Sequence, residues 1–165
     1  MLAAFDYRWW VFLHIIGVFG FLMAHGVSIS VALKLRKERD RARITELLQF
    51  SGGSVFWMYV SLGLLLLGGV AAGLQNHYFY FRFWWIWISI GLLVAAVAEM
   101  TAVGVPYYRR VKEAVQLRAS GVPRKSDEEL DALLRSPLPM ANTIFGFVVL
   151  GVILWLMIWK PLWMV

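Results

Sequence analysis

The chain has 165 residues, 61% of them hydrophobic, with nine Trp, no Cys and a formal net charge of +6. A mean hydropathy of +0.68 belongs to a membrane protein and leaves no room for a separate soluble catalytic domain. The missing cysteines exclude disulfides, thiolate metal centres, iron–sulfur clusters and covalently attached c-type haem.

The first apolar stretch, residues 9–33, reads WWVFLHIIGVFGFLMAHGVSISVAL and contains no Lys, Arg, Asp or Glu. It is long enough to span a bilayer as a helix. It is also longer than the roughly 7–15 apolar residues of a signal peptide, so it is expected to be retained. Within it His14, Val18, Phe21 and His25 step by four, three and four residues. Both imidazoles therefore share one helix face, about 16 Å apart at 1.5 Å per residue. Ionisable groups at such depth are costly and face the protein interior.

A basic block, KLRKERDRAR, follows. Beside it Ile44, Leu47, Leu48 and Phe50 recur at helical spacing, which predicts a continuation of helix 1 or a helix lying on the membrane surface. The second span, residues 53–74, is rich in small residues, and Gly69 and Gly73 form a G-x-x-x-G that suits close helix packing in lipid. The loop QNHYFYFRF then carries His77, which is either solvated or converges with His14 on one centre.

The third span, residues 83–108, holds a stripe of Gly91, Ala95, Ala98 and Ala102 and one acid, Glu99. If it runs antiparallel to the first, Glu99 falls at the depth of His25. The two are expected within hydrogen-bonding or single-water reach, as a structural pair, as an orienting contact for a ligating imidazole, or as part of a proton route. In the following loop Ser126 and Glu129 predict a capping box for a helix from Asp127 to about Arg135, closed by Pro137 and Pro139. The fourth span covers residues 140–160, with Asn142 and Thr143 read as capping residues at its start.

The basic residues are unevenly placed. Lys34, Arg36, Lys37, Arg39, Arg41 and Arg43 follow span 1, and Arg109, Arg110, Lys112, Arg118, Arg124, Lys125 and Arg135 follow span 3. Only Arg8, Arg82 and Lys160 lie at the other ends. The positive-inside rule then puts loops 34–52 and 109–139 in the cytoplasm and both termini outside. The positive charge thus reports topology and attraction to anionic lipid, and nucleic acid is not an expected partner. Aromatic residues such as Trp9, Trp10, Trp84, Trp85, Trp155, Trp159 and Trp163 form the outer interfacial belt. The expected fold is a single all-α membrane domain over residues 1–165, an antiparallel bundle of four transmembrane helices, multi-pass in a bacterial or archaeal cytoplasmic membrane.

Two separated imidazoles without thiolates suit haem iron better than structural zinc, which takes four protein ligands. The segments FLHIIGVFGFL, KLRKERDRAR and PYYRR, in that order, resemble predicted four-helix integral membrane proteins related to the copper-resistance-D membrane domain. More distantly the chain is similar to protoporphyrinogen oxidases of the HemJ type. That resemblance implies an early-helix histidine that binds haem b, and His14 is the matching position. The chain departs from the oxidase pattern in having no basic residue inside span 3, so that activity is not carried over. Met23, Met58, Met100 and Met157 do not group by spacing into a soft-ligand relay for copper.

The leading expectation is a haem-b protein of electron transfer, alone or as a subunit of a respiratory assembly, with His14, His25 and His77 as candidate haem-binding residues. Of these, His14 and His25 are the candidate iron ligands. The alternative is a cofactor-free accessory subunit whose helix faces pack against other membrane subunits or a second copy. A small transporter with a proton site at His25 and Glu99 is a third reading, weakened because four spans without an internal repeat enclose little space.

Overall fold

The computed structural model describes residues 6–75 and 79–161. They form helices α1 (Tyr7–Leu35), α2 (Arg41–Gln75), α3 (Trp84–Glu99), α4 (Val105–Val115), α5 (Asp127–Leu134) and α6 (Leu138–Trp159). A 3-10 turn, Phe79–Arg82, precedes α3, and a π turn, Met100–Gly104, joins α3 to α4. Four helical stretches are long and apolar enough to cross a membrane: Tyr7–Leu35, Arg41–Gln75, Trp84–Val115 and Asp127–Trp159.

Local chemistry explains the boundaries. The Asp6 side chain accepts the Arg8 amide and opens α1. The chain breaks after Leu35 because Glu38 takes the amides of Arg39 and Asp40, and Asp40 takes that of Ala42. The bond from Ala42 satisfies one of the first orphan donors of α2, and the two to Glu38 hold the turn ahead of it. Ile44, Leu47 and Leu48 therefore belong to α2 and do not continue helix 1, which corrects the sequence expectation. The π turn stands just ahead of Pro106, whose missing N–H cannot serve the carbonyl four residues back. Ser126 and Glu129 form the predicted reciprocal capping box on α5. Lys160 closes α6 in the left-handed region at φ 46°, its amide donating to the Leu156 carbonyl. Thr143 lies inside α6 and donates to the Pro139 carbonyl, while Ser136 accepts the Leu138 amide. Neither Asn142 nor Thr143 caps α6, whose N-cap position is Pro137 with no side-chain capping bond.

Packing is by pairs. α1 lies along α2, and α3 lies along α6. Along the first pair the contacts fall as the numbering rises: Trp10 and His14 meet Gly68, Gly17 meets Leu65 and Ser61, and Gly20 meets Ser61. Three apolar clusters join the pieces. Val31, Leu35, Ile44, Tyr107, Val111, Leu130 and Leu134 form the largest, at the Lys/Arg-rich end. Phe21, Ala24 and Met58 form the middle one, with Met100 and Leu150 against them. Phe83, Trp85 and Leu156 form the third, at the aromatic-rich end.

At the basic end Arg41 ties the loops down, donating to the carbonyls of Ala114 and Lys125 and pairing with Asp127 at 2.6 Å. Tyr107 Oη donates to the Leu133 carbonyl at 3.1 Å, fixing α4 on α5. The stripe of Gly91, Ala95, Ala98 and Ala102 lies on the outer surface of α3 and the π turn after it, and a Cβ on Gly91 would meet nothing within 4 Å. It does not pack within the bundle, contrary to what small side chains at helical spacing suggested.

Candidate functional site

His14 sits where α2 presents two adjacent glycines. A Cβ at Gly68 would stand 2.6 Å from the His14 backbone nitrogen, and one at Gly69 would stand 2.9 Å from the ring Nδ1. Only glycine lets the backbones and the imidazole come this close. His14 Nδ1 lies 2.7 Å from the Leu65 carbonyl oxygen. A carbonyl can only accept, so Nδ1 carries the proton, and in the neutral ring Nε2 keeps its lone pair. This is the arrangement that fixes the tautomer of a ligating histidine and raises its basicity.

His25 lies three turns further along the same face. Its ring stacks on Phe21 at 6.1 Å between centroids and 5° between planes. Its Nε2 is buried with no hydrogen-bond partner. That nitrogen points to α6, where a Cβ on Gly146 would stand 3.0 Å away. An unpaired buried ring nitrogen is costly, so it marks a position where something beyond packing is to be explained.

Glu99 is half-buried at the last residue of α3, directly before the π turn. Its neighbour Met100 packs on the cluster of Phe21 and Ala24, which places the end of α3 at the level of His25. No hydrogen bond joins His25 to Glu99 in the structure; the ring is turned toward the gap at Gly146 instead. His77 lies outside the described residues. Met58 and Met100, distant in sequence, share the middle cluster and act there as apolar packing.

Among the described residues no three His, Cys, Asp or Glu gather as metal ligands. Span 1 offers single imidazoles at two depths. That donor set does not fit structural zinc, which takes four protein ligands. No family model, curated protein or solved structure matches the chain, so the functional reading rests on these residues.

Proposed function

We propose that this chain is a haem-b-binding integral membrane protein of electron transfer, working alone or as a subunit of a respiratory assembly in a bacterial or archaeal cytoplasmic membrane. The observation that carries the reading is the bond between His14 Nδ1 and the Leu65 carbonyl, which leaves Nε2 as a free donor atom on an oriented ring. The buried, unpartnered Nε2 of His25 supports it as a second donor at another depth. Bound haem would supply a one-electron iron couple. The chain's own part is to hold the imidazoles: Leu65 sets the His14 tautomer, Gly69 makes room for its ring, and Phe21 stacks on His25. The spans are read as antiparallel with both termini outside, a reading supported by the falling contact order of α1 against α2 and by the charge asymmetry.

The test is an absorption spectrum of detergent-purified protein from haem-replete cells, oxidised and reduced. A Soret band that shifts on reduction is expected, and His14→Ala should abolish or displace it while the protein still inserts. Wild-type protein without Soret absorption overturns the proposal.

One observation favours a second reading. The small-residue stripe on the outer face of α3 suits a partner helix, as in a cofactor-free accessory subunit that packs against another membrane subunit or a second copy.

A further inference from the structure

At the Lys/Arg-rich end a cleft of about 680 Å³ opens between α4, α5 and the start of α6. Tyr107, Ala114, Leu133 and Leu138 supply apolar walls, and Arg110 and Arg124 stand on its rim. Tyr107 is nine-tenths buried or more, and its bond to Leu133 holds the floor in place. Leu138 opens α6 just ahead of the uncharged run 140–159, so the cleft straddles the border between polar loop and apolar span.

Within the cleft the charges are unequally matched, and what sets its two free arginines apart from the other unpaired cations of this end, such as Lys34 and Lys37, is the apolar wall beside them. Glu113 and Glu129 also line it, but each is taken: Arg109 pairs with Glu113 at 3.5 Å and Lys125 with Glu129 at 2.7 Å. Arg110 and Arg124 have no carboxylate partner among the described residues. The backbone of Arg124 is fixed, its amide donating to the Gln116 carbonyl at 2.9 Å across a bridge between Leu117 and Pro123. Two unpaired guanidinium groups above an apolar wall at a membrane border match one chemistry. A phosphate takes the guanidinium forks, and the hydrocarbon beside it takes the leucines.

We infer that this cleft binds the headgroup of an anionic phospholipid, with its phosphate between Arg110 and Arg124 and its apolar part on Leu133 and Leu138. The site is independent of any haem and of the histidines.

Full-length protein is equilibrated in mixed micelles holding equal phosphatidylglycerol and phosphatidylcholine, and retained lipid is read by native mass spectrometry. Preferential retention of phosphatidylglycerol is expected. Arg110→Gln with Arg124→Gln should lower that retention about tenfold, each arginine contributing a few-fold. Lys34→Gln with Lys37→Gln removes the same charge outside the cleft and should change retention less than about twofold on the same basis. Equal loss from both pairs means diffuse attraction to lipid and overturns the site, as does retention without headgroup preference. Displacement by millimolar inorganic phosphate, with the same dependence on arginine, would make it a site for free phosphate and overturn the lipid assignment. If the double variant does not fold, Arg124→Gln alone, in the exposed loop, serves instead, and its expected loss is about threefold.

Discussion

Gly17 and Gly68 decide how close α1 comes to α2, because a Cβ on either would run into backbone atoms of the other helix. At Gly68 the obstacles are the His14 nitrogen at 2.6 Å and the Trp10 carbonyl at 2.8 Å, and neither can swing away. Gly68→Ala is therefore expected to cost about 1–3 kcal/mol, read as a lower melting temperature in detergent. Gly63→Ala, with nothing within 4 Å of the new carbon, should leave it unchanged. The same reasoning locates His25 against α6. Gly146→Leu should be destabilising, and adding His25→Ala should relieve part of the loss, a coupling of about 1 kcal/mol or more in a double-mutant cycle. Sequence reasoning singled out Gly69 and Gly73, and the structure sets Gly69 against the His14 ring but Gly73 against Phe81 of the 3-10 turn. Composition shows that small residues are present; it does not show which of them meets backbone, because Gly63 and Gly68 look alike until the helix phases are known.

Among the elements, the turn between α1 and α2 rests on acceptors rather than packing. The carboxylate of Glu38 is held below the usual carboxylate range, first by the amide of Asp40 and then by that of Arg39, in a position partly open to solvent. A lowered folded value means that its contribution is present at neutral pH and lost as pH falls through that value. Amide exchange at Arg39 and Asp40, corrected for intrinsic rate, should accelerate at acid pH before the spans themselves loosen, and Glu38→Gln should remove this pH dependence. The capping box of α5 was legible because both partners lie within four residues of each other. Ser126→Ala should cost about 1 kcal/mol, measured as lower protection of the α5 amides. The true start of α2 was less legible: the apolar spacing of Ile44, Leu47 and Leu48 announces a helix, but only the side-chain bonds of Glu38 and Asp40 assign it to the second span.

On the scale of the whole molecule, four spans followed directly from hydrophobic runs, whereas their association in two pairs did not. Helix faces in lipid carry little polarity contrast, so sequence gives length far better than neighbour. What joins the pairs is concentrated at the basic end, where Val31, Leu35 and Ile44 from α1 and α2 meet Val111 and Leu134 from α4 and α5. Leu134 is completely buried there, and Leu134→Ala is expected to cost about 2–5 kcal/mol. If that cluster is the main link, the loss should appear as one cooperative drop in melting temperature shared by probes on α1 and on α6. The same end carries thirteen of the sixteen Lys and Arg residues, against Arg8, Arg82 and Lys160 elsewhere. Two loops of like charge packed into one folded unit have to lie on one side of the bilayer, since the core between Ile44, Val111 and Leu134 cannot form across it. On the proposed topology, with the positive-inside rule as its support, that side is expected to be the cytoplasm. A reporter active only outside should work when fused after Val165 and fail when inserted at the Gly121 turn, and a fluorescent reporter that matures only in the cytoplasm should give the opposite pattern. A cytoplasmic C-terminus would reverse the sidedness but keep the two loops together, whereas loops on opposite sides would contradict the packed cluster itself.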